Sequence, residues 1–162
     1  MEADLAARLD LATRLIPEYN FIHVHTKAPD EAAHSKDCRA KQEVIEAQAR
    51  SLGADMPMLS QDPNILTVVA SDHSTPSSGP MIHSGEPVPV IMTAESIRRD
   101  QVQAFDEISA ACGCLSLMRD TELFQTVLNA LNKAKLQGIR EVAADRLFWP
   151  GPVSGLLLDE GD

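Results

Sequence analysis

The feature that most limits the fold of this chain is a short apolar run near its middle, Ile65-Leu-Thr-Val-Val-Ala70. A continuous run of this length, rich in β-branched residues, is typical of a strand that is covered on both faces, as in a parallel sheet. Apolar residues recur at helical spacing from Ala3 to Ile16 and from Thr121 to Gln137, which predicts a helix on each side of the strand. This alternation predicts an α/β layered domain with a mainly parallel sheet flanked by helices.

Two further segments favour strands. Asn20-Phe-Ile-His-Val-His-Thr26 is β-branched and aromatic, which is typical of a strand. Val88-Pro-Val-Ile-Met92 predicts a shorter strand at a sheet edge, because proline has no N–H group for a ladder hydrogen bond. Residues 71–86 are rich in serine, glycine and proline and predict a long loop. Ordered loops of this length inside a compact domain are usually functional.

One more helix is predicted between these strands, from about Asp37 to Leu52. Gly53 follows it and predicts its end, since glycine readily adopts the left-handed conformation that closes many helices. Residues 54–64 contain two prolines and two methionines and are expected to form a connecting loop.

Composition narrows the class of protein. A chain of 162 residues is expected to form one domain. Acidic residues outnumber lysine and arginine by 24 to 14, and no basic cluster offers a footprint for nucleic acid. No apolar run approaches the roughly 20 residues of a membrane-spanning helix, so no membrane partner is expected. Cys38, Cys112 and Cys114, with no recognisable export signal, predict the cytoplasm, and Cys112 and Cys114 are expected to be small buried thiols.

The histidines are unevenly distributed. All five lie between His23 and His83. Asp30 and His34 are four residues apart near the start of a predicted helix, a spacing that puts a carboxylate and an imidazole on one face, where they can share a cation. The alternative is an acidic residue that interacts with the helix dipole, beside a surface histidine.

A second group follows the apolar strand. Asp72 and His73 come directly after it, where ligands collect in open α/β sheets, although Asp72 could instead form an Asx-type turn beside a solvated histidine. His83 would add a third imidazole from the same loop. Mixed carboxylate and imidazole ligands suit manganese, zinc or iron better than calcium.

Three other polar residues are weaker candidates. His23 and His25 point to one face of the predicted strand, but satisfied polar positions in or beside the core are the favoured interpretation over metal binding. Lys27, just before Asp30, is a weak candidate for contacting a substrate phosphate, and a solvated lysine is equally compatible with the sequence.

Three motifs, in this order, resemble the alkaline phosphatase superfamily, specifically the archaeal-type branch of cofactor-independent phosphoglycerate mutases. They are Phe21-Ile-His-Val-His-Thr-Lys-Ala-Pro-Asp-Glu-Ala-Ala-His34, Val69-Ala-Ser-Asp-His-Ser-Thr-Pro76 and His83-Ser-Gly-Glu-Pro-Val-Pro89, and the likeness continues in Phe105-Asp-Glu-Ile-Ser109 and Ala134-Lys135. The resemblance spans about residues 3–138. It implies a metal-binding, C-terminal part of an alkaline-phosphatase-like domain over residues 1–138, followed by an extension, residues 139–162, that could dock a partner.

The resemblance also implies a ligand set and a reaction. Asp30, His34 and His83 match the ligands of one divalent ion, most simply manganese, with zinc or iron as alternatives. Asp72 and His73 match ligands of a second ion. The family moves a phosphoryl group between two positions of phosphoglycerate through a phosphoserine, and paired cations suit this chemistry because they neutralise the moving charge.

The chain departs from the family in what it lacks. The N-terminal strand that supplies a metal-binding aspartate and the nucleophilic serine has no counterpart here, and neither does the region that positions the substrate. Ser74 and Thr75 do not match the nucleophile, and Glu86 stands where an aspartate is usual. No catalytic nucleophile is therefore assigned to this chain.

Three hypotheses follow. In the first, the chain is one half of a split phosphotransferase that acts on a phosphorylated small molecule, and a second polypeptide supplies the N-terminal half with the serine. In the second, it is a non-catalytic, metal-binding structural subunit of a larger complex. In the third, it is a stand-alone metal-dependent phosphohydrolase that uses water as the nucleophile. The first is favoured, because Asp72 and His73 would serve no purpose in a clamp for a single ion.

Overall fold

A computed structural model describes residues 2–133. The helices and strands, in chain order, are α1 Glu2–Leu15, α2 Ala28–His34, α3 Cys38–Gln61, β1 Thr67–Ala70, β2 Val90–Thr93, α4 Glu107–Ala110 and α5 Asp120–Ala130. The predicted extension, residues 139–162, and the Ala134-Lys135 motif lie outside the described residues.

The first three helices pack around a small core. Helices α1 and α2 both contact α3, and each of the three contributes a buried apolar side chain: Leu9, Ala33 and Val44. Among the described residues no large side chain is fully buried. Several large apolar side chains stay at the surface, with Ile108 84%, Leu117 78% and Phe21 70% exposed. Much apolar surface therefore remains open to contact with another polypeptide.

Helix α3 is longer than predicted. It begins where expected, because the Asp37 carboxylate accepts hydrogen bonds from the backbone N–H groups of Arg39 and Ala40 and so caps the helix. The predicted end at Gly53 is wrong: the helix continues to Gln61. A glycine ends a helix by adopting a positive φ, and among the described glycines only Gly79 does so. The expected loop over residues 54–64 is therefore mostly helix.

Helix α5 is shorter than predicted. It ends at Ala130, because Asn132 adopts a left-handed conformation with φ 52°. The N–H groups of Asn132 and Lys133 donate to the carbonyls of Asn129 and Leu128, the pattern of a Schellman motif that terminates a helix.

The sheet within residues 2–133 is antiparallel, and the predicted, mainly parallel sheet is not found there. Strand β1 pairs with β2 in a register that places Thr67 opposite Thr93 and Ala70 opposite Val90. The reason lies in the connection, which contains no crossover helix and folds back on itself: the Ser84 N–H donates to the Ser74 carbonyl over 3.0 Å. Parallel neighbours need a crossover, whereas a returning loop joins antiparallel strands.

The predicted strand at residues 20–26 is also wrong, since this segment has no regular secondary structure. A strand needs a neighbouring strand for its backbone groups, and here the His25 carbonyl instead accepts from the Arg8 guanidinium of α1 over 2.8 Å. The Thr26 hydroxyl lies against Gln48 of α3. The segment therefore runs along the helices and delivers the chain to α2.

Two other expectations concern the cysteines and membrane-spanning helices. Cys112 and Cys114 are exposed, as is Cys38, and all three are free thiols, so the prediction of small buried thiols is wrong. Within residues 2–133, no helix combines the length and the apolar character needed to cross a membrane.

Candidate metal centre

The candidate site is assembled from two parts of the chain, helix α2 and the loop of residues 71–86. Helix α2 has a proline in its first turn, where the missing N–H group costs nothing. As their spacing predicts, Asp30 and His34 lie on one face of the helix, with 3.3 Å between Asp30 Oδ1 and His34 Nε2. This helix thus supplies a carboxylate and an imidazole side by side.

Two lysines fix the loop against the helices. Lys36, directly after α2, has a left-handed backbone with φ 58°, and its ammonium group donates to the carbonyls of Pro76 and Met81. Lys41 of α3 donates to the Thr75 carbonyl over 2.7 Å. Both halves of the loop are therefore attached to α3 and to the end of α2, the helix that carries Asp30 and His34.

His83, from the loop, lies next to the imidazoles of His34 and His73. Its ring centroid is 5.3 Å from that of His34 and 4.2 Å from that of His73. The potential ligand atoms of Asp30, His34 and His83 all lie within 4.8 Å of one another. Their side chains are 32%, 40% and 46% exposed, so this trio, Asp30–His34–His83, faces solvent on one side and leaves room for further ligands.

Asp72 and His73 form a second pair beside the trio. Asp72 Oδ2 lies 3.5 Å from His73 Nε2, and Asp72 Oδ1 accepts from the His73 backbone N–H. This bond reaches the next residue and not the residue two positions on, so it is not the Asx-type turn that was the alternative at Asp72. Both side chains remain accessible to solvent. Asp72 is 74% exposed, which leaves its carboxylate open to a further partner.

Thr75 joins the two groups and is a site residue that the motifs did not predict. Its side chain is buried, at 4% exposure, and its hydroxyl lies 2.7 Å from Asp30 Oδ1. The same oxygen lies 3.2 Å from Nδ1 of His73 and 3.2 Å from Nδ1 of His83. Its only signal in the sequence was its position two residues after His73, since nothing local indicates that residue 75 meets residue 30.

The electrostatics of the trio favour an ionised carboxylate. The hydrogen bond from Thr75 lowers the pKa of Asp30, and partial burial opposes that shift. His34, His83 and His73 lower the pKa further through the positive charge that an imidazole carries when it is protonated. An ionised carboxylate beside neutral imidazoles is the state that a divalent cation requires of its ligands. The donor set of the trio, one oxygen and two nitrogens, fits manganese, zinc or iron.

The remaining candidates do not join this cluster. His23 and His25 are exposed, with their ring centroids 6.0 Å apart. Of the favoured interpretation, polar positions in or beside the core, the part that places them in the core is therefore wrong. Lys27 is also exposed and lies at the N-terminal end of α2. Within residues 2–133 its side chain forms no hydrogen bond or ion pair, as expected for a solvated lysine.

Comparison with known proteins agrees with the motifs. The metalloenzyme superfamily matches residues 2–130. The chain is 44% identical over 137 residues to 2,3-bisphosphoglycerate-independent phosphoglycerate mutase 2 of Methanocaldococcus jannaschii. This alignment covers 83% of this chain and 30% of that protein. It is 33% identical to 2,3-bisphosphoglycerate-independent phosphoglycerate mutase 1 of Archaeoglobus fulgidus, over 83% of this chain and 32% of that protein. The resemblance drawn from the motifs is confirmed.

Among solved structures, the PH0037 protein from Pyrococcus horikoshii superimposes with a TM-score of 0.77 at 28% sequence identity. That match covers 83% of this chain and 40% of the other. The chain thus spans about a third of the length of the curated relatives that it matches.

Proposed function

Because this chain belongs to the metalloenzyme superfamily, we propose that it is the C-terminal, metal-binding half of a split, phosphoglycerate-mutase-like phosphotransferase. The observation that carries the proposal is the position of His83, which lies next to His34, His73 and Asp30. Side chains from distant parts of the chain meet there with donor atoms that suit a divalent cation.

The residues have separate roles in this proposal. Asp30, His34 and His83 hold one ion, and Asp72 and His73 provide part of the ligand set of a second. Bound divalent cations would supply Lewis acidity and neutralise the negative charge of a transferred phosphoryl group. The ligands orient the ions, the solvent-facing side of the trio admits the phosphorylated substrate, and Lys27 lies close enough in sequence to Asp30 to add a positive charge for its phosphate.

The nucleophilic serine is proposed to come from a second polypeptide. Three observations support this view. The relatives are about three times as long as the matched region. The described ligand set offers three donors for one ion but only two for the other. Large apolar side chains such as Ile108 and Leu117 remain exposed, as expected of a surface that another chain covers. The three free thiols fit the reducing cytoplasm as the compartment.

Metal binding is the first test. The purified chain is titrated with Mn²⁺ by calorimetry, and the bound metal is counted by elemental analysis. His34→Ala and His83→Ala should each weaken binding at least tenfold, because each removes one of three ligands. His25→Ala is the matched control, since it removes an exposed imidazole outside the cluster. Equal Mn²⁺ affinity in all four proteins would overturn the proposed site.

Activity is the second test. The chain is co-expressed with the polypeptide encoded by its genomic neighbour, and conversion of 3-phosphoglycerate to 2-phosphoglycerate is followed with Mn²⁺ present. Activity should need both chains and should fall when Asp72 becomes alanine. Full activity of the Asp72→Ala complex would instead favour the structural clamp, in which the trio alone holds an ion. Cleavage of a simple phosphoester by the isolated chain would favour the stand-alone hydrolase.

A further inference from the structure

We infer that Thr75 is a positioning residue that sets the tautomers of His73 and His83, and thereby presents Nε2 of both rings to the cations. This inference rests on the proposed metal-binding function, but it concerns a hydrogen-bond arrangement that exists before any cation binds. It starts from the burial of Thr75, whose exposure is 4%, within a loop where Asp72, His73 and His83 are exposed.

The number of hydrogen atoms and lone pairs decides the direction of each hydrogen bond. A threonine hydroxyl has one hydrogen to donate and two lone pairs that accept. It lies within hydrogen-bond distance of three groups: Asp30 Oδ1 at 2.7 Å, His73 Nδ1 at 3.2 Å and His83 Nδ1 at 3.2 Å. An ionised carboxylate only accepts, so the single hydroxyl hydrogen goes to Asp30.

The two imidazoles must then donate to the hydroxyl oxygen. With its hydrogen committed to Asp30, the Thr75 oxygen has two lone pairs left for two Nδ1 atoms, and a ring nitrogen donates only when it carries a hydrogen. Both rings are therefore held with the hydrogen on Nδ1. With Asp30 ionised and both rings neutral, this arrangement satisfies all three partners of the hydroxyl.

The consequence for metal binding follows from imidazole chemistry. A neutral imidazole coordinates a metal through the nitrogen that carries no hydrogen, and the hydrogen bond at the other nitrogen fixes which one that is. With Nδ1–H directed at Thr75, Nε2 of both rings is free to coordinate. In His73 this is also the nitrogen that faces Asp72 Oδ2, at 3.5 Å, so one hydroxyl links the ligands of the two proposed ions.

Two substitutions separate this role from simple packing. Thr75→Val keeps the shape of the side chain and removes the hydroxyl, whereas Thr75→Ser keeps the hydroxyl and removes a methyl group. If Thr75 only fills space, serine should be the more damaging change. If it sets the tautomers, the serine variant should keep the hydrogen on Nδ1 of His73 and His83, and the valine variant should not.

The first readout needs no metal. The full chain, labelled with ¹⁵N in its histidines, is studied by long-range ¹H–¹⁵N correlation at a pH where the imidazoles are neutral. The wild-type and Thr75→Ser proteins should show His73 and His83 with the hydrogen on Nδ1, and in Thr75→Val both rings should lose this preference. A hydrogen on Nε2 of either ring in the wild-type protein would overturn the inference, whatever the fold of the variants.

The second readout is Mn²⁺ affinity by calorimetry. Loss of a group that orients metal ligands typically lowers affinity 10- to 100-fold, so Thr75→Val is expected to fall by about that factor while Thr75→Ser stays within about threefold. A folded Thr75→Val protein that binds Mn²⁺ like the wild type would contradict the inference. Absence of Mn²⁺ binding by the wild-type chain would refute the proposed function, and the tautomers would still be decided by the metal-free spectra.

Discussion

The attachment of the 71–86 loop by Lys36 can be tested quantitatively. Lys36→Met keeps the aliphatic stem and removes the ammonium group that donates to the carbonyls of Pro76 and Met81. Hydrogen bonds from charged donors contribute roughly 1.5–3 kcal/mol each, and these two lie at an exposed position where solvent weakens them. About 1 kcal/mol each, or about 2 kcal/mol together, is a reasonable expectation.

This free energy should appear in two measurements. If it holds the loop that carries His83 against α2, its loss lowers the Mn²⁺ affinity by up to about 30-fold, since 1.4 kcal/mol corresponds to a factor of ten. The part that is not expressed in metal affinity should appear as a lower free energy of unfolding of the metal-free chain. Calorimetric titration with Mn²⁺ and urea denaturation measure the two quantities on the same protein.

A matched control is Lys133→Met. The Lys133 side chain is exposed and forms no hydrogen bond or ion pair within the described part of the chain, so its ammonium group should contribute nothing to either measurement. If Lys36→Met and Lys133→Met agree within twofold in Mn²⁺ affinity and have the same urea midpoint, the two lysine–carbonyl bonds do not hold the loop and the reasoning is refuted.

Two further predictions concern the fold. Gly53→Ala should raise the free energy of unfolding by about 0.5–1 kcal/mol, because Gly53 lies inside α3 with nothing within 4 Å of an added Cβ; Gly79→Ala, equally uncrowded but at φ 72°, should destabilise the protein, and urea denaturation of both variants checks the contrast. Backbone hydrogen bonds from Cys114 and from Ser109 lower the pKa of Asp100 and of Asp106, respectively. A carboxyl group with a lowered pKa stabilises the folded state above the unperturbed value of about 3.9, and this stability is lost as the pH falls through the lowered value. The urea midpoint should therefore drop between pH 5 and pH 2.5 by more in the wild type than in Asp100→Asn or Asp106→Asn, and equal drops would show that these carboxylates contribute nothing.

Much of the site follows from short-range patterns in the sequence. The four-residue spacing of Asp30 and His34 on a helix leads directly to neighbouring side chains, because a helical turn returns to the same face after that interval. Asp72 and His73 were expected at the end of a strand, and they do follow β1. The irregular loop after them was predicted from its serine, glycine and proline content.

Each error arises where a local pattern permits more than one structure. Residues 20–26 have the composition of a strand, but no strand among residues 2–133 pairs with them. Gly53 permits a left-handed turn without requiring one, and the residues around it continue the helix. The direction of β2 relative to β1 depends on the path of the intervening loop, which its composition does not encode.

Local chemistry along the chain thus indicated which residues could bind a cation, because ligand type and helical spacing are properties of short segments. It could not show that His83 lies next to both His34 and His73, or that Thr75 lies against Asp30. The contacts of His83 with His34 and of Thr75 with Asp30 join residues more than forty positions apart. They bring together helix α2 and the loop that Lys36 and Lys41 attach to the helices. A buried hydroxyl that serves three partners becomes visible only when the chain is folded.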